Sequence, residues 1–170
     1  MKKLALPALL ALALAACSST GPETTGASVE DRGAGVATVT APGAAGSGIA
    51  ALTDPNNILS KRNVFFDFDS FVIKPEARPL IEAHARFLVQ NPQMKMLVQG
   101  NTDERGSREY NLALGQKRAD VVKQALMLLG AREAQIESVS LGEEKPRCDD
   151  RTEACYAQNR RGEMLYSGEF

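Results

Sequence analysis

NTDERGSREYNLALGQKRAD, residues 101–120, changes character midway from a polar loop to a helical pattern. Ahead of it, residues 94–100 read as a short, largely buried strand. Asp103, Glu104 and Arg105 then crowd against Gly106, and a long helix follows to about Leu129, where Gly130 suits the left-handed turn that ends it. At about 100° per residue, Leu114, Val122, Ala125 and Leu129 fall within about 40° of Arg118, which therefore lies near the middle of the apolar stripe. Burying an unpaired guanidinium is prohibitively costly, so an internal acid or a ligand must meet it. Asp103, at the exit of the preceding strand, is the expected neighbour. That pair could be a plain internal salt bridge. It could equally serve a zwitterion, with Arg118 taking a carboxylate through two parallel hydrogen bonds beside the helix-start amides while Asp103 takes an ammonium. Acid, base and glycine crowded before a helix start favour the recognition loop.

Outward from this stretch the elements alternate. Residues 64–69 begin as a β-rich apolar run and end in carboxylates, giving a first strand. Pro75 opens a helix whose Ala77, Leu80, Ile81, His84, Phe87 and Leu88 recur every three or four residues, ending before Pro92. His84 reads as a packed residue on that face. Residues 136–141 and 163–167 supply a third and a fourth strand. The order predicts an α/β fold, a two-layer sandwich in which helices cover one face of a mixed four-stranded sheet and the loops after the strands gather at one end.

The N-terminal part reads differently. Met1, Lys2 and Lys3 precede thirteen apolar residues, 4–16, too short a run to cross a bilayer, which takes about 20. This is a signal peptide, residues 1–16. Leu14, Ala15, Ala16 and Cys17 resemble the bacterial lipobox, which implies that Cys17 becomes the mature N-terminus carrying diacylglycerol and acyl chains. Each buried methylene of such chains contributes about 0.8 kcal/mol, so several together anchor firmly. Ser18 in place of aspartate suggests sorting to the outer membrane. Gly, Ser, Thr, Pro and Ala then make up 24 of the 31 residues of 18–48, so we assign 17–51 as a lipid-anchored flexible linker and 52–170 as one folded domain.

Lys and Arg total 20 against 21 Asp and Glu, a net charge of −1 with no basic excess for nucleic acid. Cys148 and Cys155, close together in an exported polar loop, read as a local disulfide. A zinc site would need about four ligands, and the sole histidine is distant in sequence, so neither metal nor soluble cofactor is expected.

Phe65 to Ser70, Gly100 to Gly106, Tyr110, Asn111, Leu114, Arg118, Ala119, Asn159, Arg160 and Arg161 together resemble the OmpA-like domain family, over nearly all of residues 56–166. The similarity is to its branch of peptidoglycan-associated lipoproteins. That resemblance implies non-covalent binding of peptidoglycan through the meso-diaminopimelate side chain. Asp103 and Arg118 would hold its head, Asp69 and Arg105 would line the groove, and Phe68 and Leu114 would wall it. It further implies a place in the Tol-Pal envelope system, serving envelope integrity and cell division, with TolB and other Tol proteins as partners. The chain departs from the family between Pro146 and Tyr156, where the cysteine pair lies, a change expected to alter a rim and leave the groove intact; Arg160 with Arg161 are either rim contacts or a solvated charged pair, with a structural role favoured.

Two other readings compete. Asp67, Asp69, Asp103 and Glu104 could supply paired carboxylates for wall-sugar hydrolysis, but no nucleophile arrangement accompanies them, so no catalytic residue is assigned. Porins and flagellar stator proteins carry similar domains, yet would need barrel strands or a membrane helix ahead of it. A lipid-anchored secretion-system accessory is the remaining alternative.

Overall fold

The structure, a computed structural model, describes residues 47–170; the signal peptide, Cys17 and most of the linker lie outside the described residues. Helix α1 (Ser47–Thr53) starts ahead of the boundary expected at residue 52, and Leu52 at its end is buried in the core. Then follow β1 (Asn63–Phe65), α2 (Arg78–Gln90), β2 (Met96–Asn101), α3 (Arg108–Leu128), β3 (Ile136–Gly142), α4 (Glu153–Asn159) and β4 (Arg161–Tyr166). Among the described residues no helix is long and apolar enough to cross a membrane.

The sheet order is β1-β4-β2-β3, with β4 antiparallel to both β1 and β2, and β2 parallel to β3 across the α3 crossover. The expected mixed four-stranded sandwich is thus found. Val64, Phe66, Met96, Val98, Ile136, Met164 and Tyr166 pack against Ile81, Leu88, Val122 and Leu126 of the helices. The opposite face alternates to half-buried residues in β2 and β4. Where α3 crosses β2, backbone meets backbone: a Cβ on Gly100 would fall 1.8 Å from the Gly115 carbonyl oxygen. Only glycine permits that approach, and it sets Arg118, one turn along α3, beside the end of β2.

Arg118 is 0% exposed, the largest fully buried side chain among the described residues. Its partner corrects the sequence expectation. Nε donates to the Ser70 carbonyl (2.8 Å), Nη1 to that of Asn101 (2.9 Å) and Nη2 to that of Asp67 (3.1 Å), so three backbone oxygens meet the guanidinium, and Asp103 does not ion-pair with it. The planar fork supplies five donors in fixed directions, which suits carbonyls on separate segments. Burial lowers the Arg118 pKa to about 10 against the pull of nearby Asp103, so it stays charged at neutral pH.

These bonds also explain why the first strand ends early. The expected strand over residues 64–69 pairs with β4 only through Phe65, with one further bond from Phe66 N–H to the Arg160 carbonyl (3.0 Å). Beyond it the Asp67 and Ser70 carbonyls turn to Arg118, and Asp69 takes φ +53°. The α3 stripe likewise stops at buried Leu126; Leu129 caps the helix and is exposed. Helix α4 lies where only a polar loop was expected. Its buried residues are Cys155 and Asn159, so it has no apolar periodicity to read. Cys148 and Cys155 are joined as a disulfide with Cα atoms 5.8 Å apart.

His84 is buried as expected. A carbonyl can only accept, so Nε2–H donates to the Lys61 carbonyl (2.8 Å) and Nδ1 accepts from the Tyr166 hydroxyl (2.7 Å). Burial lowers its pKa from 6.5 to about 4. The folded state therefore binds the proton less tightly than the unfolded chain. Stability is complete above pH 6.5 and falls as pH drops toward about 4, by about 3 kcal/mol from this residue. Urea unfolding from pH 7 to pH 4.5 should show that slope in the native protein and a shallower one in His84→Asn. Arg118→Ala, which orphans three carbonyls, should cost roughly 3–5 kcal/mol and lower Tm by roughly 10–20 °C in a thermal melt. Arg118→Lys should fall between, because one ammonium cannot span all three oxygens.

Candidate functional site

The exits of β1 and β2, the first turns of α3 and the start of β4 enclose a cleft of about 180 Å³. All six residues expected at the site line it: Asp69 and Phe68 from the chain after β1, Asp103 and Arg105 from the β2–α3 loop, and Leu114 and Arg118 from α3. Thr102, Gly106, Tyr110, Asn111 and Arg160 complete its wall. The loop is placed by Ser107, whose hydroxyl caps α3 by accepting from Tyr110 N–H (3.2 Å), and by Gly106 at φ +118°, a conformation that glycine adopts freely.

Its charges are committed unevenly. Asp103 is 4% exposed, and its carboxylate accepts from the Arg105 backbone N–H (3.1 Å), from Arg105 Nη2 (2.7 Å) and from Arg160 Nη1 (3.1 Å). Burial alone would raise its pKa, but the bonds from Arg105 and Arg160 hold the carboxyl below the ordinary range. Arg160, 5% exposed, also reaches the Phe66 carbonyl (3.1 Å) and Glu153 (2.6 Å). The Arg105 guanidinium lies 4.0 Å from the Phe68 ring centre and 4.4 Å from that of Tyr156.

Asp69 and Arg118 are the opposite case: neither forms an ion pair among the described residues. Asp69 is exposed and held in a left-handed conformation that costs about 1 kcal/mol or more in a residue other than glycine, though Asp tolerates it better than most. The Tyr110 hydroxyl donates to it, and that hydrogen bond raises the phenol's pKa, which keeps the donor protonated. Arg118 carries its charge at the cleft floor against neutral carbonyls. Two buried side-chain oxygens at the exit of β2, Asn101 Oδ1 and Thr102 Oγ1, lack a hydrogen-bond partner. Phe68, 57% exposed, and Leu114 give the cleft its apolar sides.

Glu153 and Tyr156, which reach Arg105 and Arg160 at the edge of the cleft, were not expected from the sequence. Arg160 does have the structural role expected of it, but it performs that role in the cleft wall. Arg161 bonds Glu163 and the carbonyls of Asn159 and Lys145, away from the cleft. No periodic signal could have shown that α4 leans on the β2–α3 loop, since its contacts are single polar pairs.

Residues 65–160 match the OmpA family. The peptidoglycan-associated lipoprotein of Pseudomonas putida is 40% identical over 161 residues, which span 92% of this chain and 93% of that protein. That of Pasteurella multocida is 48% identical over 103 residues, 61% of this chain and 69% of its own. The crystal structure of the peptidoglycan-associated lipoprotein from Burkholderia pseudomallei superposes with TM-score 0.68 at 54% identity, covering 69% of this chain and 99% of that one. This chain belongs to the OmpA family, on the branch that holds these peptidoglycan-associated lipoproteins.

Proposed function

We propose that this protein is a non-catalytic wall binder that holds the meso-diaminopimelate side chain of peptidoglycan in the cleft, and that acyl chains on Cys17 tie it to the outer membrane. The observation that supports this reading is the pair of uncommitted charges of opposite sign, Asp69 at the mouth and Arg118 at the floor, flanked by apolar Phe68 and Leu114. The diaminopimelate head carries an ammonium and a carboxylate on one carbon. Arg118 and the amides of the β2–α3 loop supply the field for the carboxylate. Asp69 supplies the acceptor for the ammonium, with Asp103 behind it. This revises the pairing expected from sequence, because the oxygens of Asp103 are already occupied by Arg105 and Arg160.

Hydrolysis fits the cleft poorly. A general acid needs a carboxyl that holds its proton near neutral pH, whereas two guanidiniums keep Asp103 ionised. A reversible tether agrees with the linker composition. We place the protein in the Tol-Pal system, with TolB competing for a surface that overlaps the cleft and other Tol proteins as further partners. This assignment rests on the family resemblance alone.

Co-sedimentation of the purified full-length protein with isolated walls tests the reading. The protein should pellet with diaminopimelate-type walls and be released by free meso-diaminopimelate. It should pellet at least about tenfold less with lysine-type walls, whose side chain lacks the carboxylate and leaves the Arg118 charge unanswered. Asp69→Asn should weaken retention by about tenfold with an unchanged Tm, since Asp69 is exposed and bridges no other charge. Equal pelleting with both wall types would sink the diaminopimelate assignment, and no pelleting with either would sink wall binding.

A further inference from the structure

We infer that the Cys148–Cys155 disulfide is a clamp through which thiol chemistry sets the strength of wall binding; this inference rests on the functional reading above. Helix α4 has seven residues, too few to hold together in isolation, and its only buried side chains are Cys155 and Asn159. None of its side chains joins the main hydrophobic cluster between the sheet and the helices. Two links tie it to the chain ahead of it. One is the disulfide to Cys148; the other is the Asn159 amide, which accepts from Arg147 N–H (2.7 Å) and donates to the Cys148 carbonyl (2.9 Å). Both run to the same polar, mostly exposed loop ahead of α4.

What α4 supplies lies against the cleft. Glu153 accepts from Arg160 Nη2 (2.6 Å) and pairs with Arg105 Nη2 (3.4 Å). Tyr156 lies under the Arg105 guanidinium, and its hydroxyl donates to Glu104 (3.1 Å). Arg105 and Arg160 are the two guanidiniums on Asp103. The disulfide thus helps to seat α4, α4 buttresses Arg105 and Arg160, and these two hold Asp103 of the β2–α3 loop that the ligand must meet.

Cys155 is buried and Cys148 half-exposed, so an attacking thiolate reaches the Cys148 sulfur first. The reductant is a dithiol. One of its thiolates bonds to Cys148 Sγ, the protein S–S bond breaks, and Cys155 leaves as a thiolate that takes up a proton. The second thiol, as thiolate, then attacks the mixed disulfide and releases Cys148, so two electrons pass to the protein and the dithiol becomes a disulfide. Asp149 and Asp150, which follow Cys148 directly, disfavour an anionic thiol and favour an uncharged dithiol.

The test uses the full-length protein in three states: untreated, reduced with dithiothreitol and alkylated, and reduced then reoxidised. Mass analysis of the peptides holding Cys148 and Cys155 reports the thiols, far-UV circular dichroism the fold, and pelleting with diaminopimelate-type walls the binding. Expected are no alkylation of these two cysteines before reduction, and after it a retained fold with at least a tenfold loss of wall retention. Reoxidation should restore retention, and Cys148→Ser/Cys155→Ser should bind like the reduced protein and ignore dithiothreitol. Unchanged retention after verified alkylation overturns the inference. So does alkylation of both cysteines in the untreated protein, or global unfolding on reduction, which would make the bond a brace for the whole domain. Failure of the untreated protein to pellet overturns the functional reading itself.

Discussion

A single buried guanidinium organises this domain. Arg118 sits on a helix face that would otherwise be apolar, and its three donors join the Asp67 and Ser70 carbonyls of the irregular chain after β1 to the Asn101 carbonyl at the end of β2. Those carbonyls would be costly to leave unpaired, at about 1–3 kcal/mol each. Their pairing bends the chain out of β1, gives Asp69 its left-handed backbone and fixes the exit of β2. The binding cleft is therefore a by-product of how one cation is satisfied in the interior. Burying the charge against neutral dipoles also leaves it without a bonded counter-charge, the feature on which the proposed anion site rests.

The two acids of the cleft illustrate how environment separates chemically identical groups. Asp103 is buried and takes up two arginines; Asp69 is exposed and takes up one phenol. The first is part of the scaffold and the second is available. Summing the cleft charges without asking which are already answered would treat the two carboxylates as equally available.

Much of this was legible in the sequence, and the limits are physical. The place of Arg118 followed from helical period, and a charge on an apolar stripe announces that something must meet it. What met it could not be read, because backbone carbonyls exist at every position and leave no compositional mark. The same reason hid the end of β1, where Asp67, Phe68 and Asp69 look like strand and are diverted by bonds from a residue about fifty positions away. Helix α4 was hidden differently. Periodicity reports apolar faces, and a helix held by a disulfide and single polar pairs has none. Arg160 was read as structural and is so, yet it also walls the cleft, a distinction that depends on three-dimensional adjacency alone.

The cleft joins two kinds of support. Its floor rests on the Gly100–Gly115 crossing and on Arg118, where atoms are in contact on every side and movement would open voids or orphan polar groups. Its rim rests on stacked and ion-paired side chains at the surface, where each contact contributes about 1 kcal/mol or less. A rigid floor keeps the ordering cost of binding low, since the charge that selects the ligand needs no rearrangement. A soft rim lets the same floor be opened or closed by small changes in the loops that carry it. On the proposed reading, selectivity then resides in the buried part and control in the exposed part.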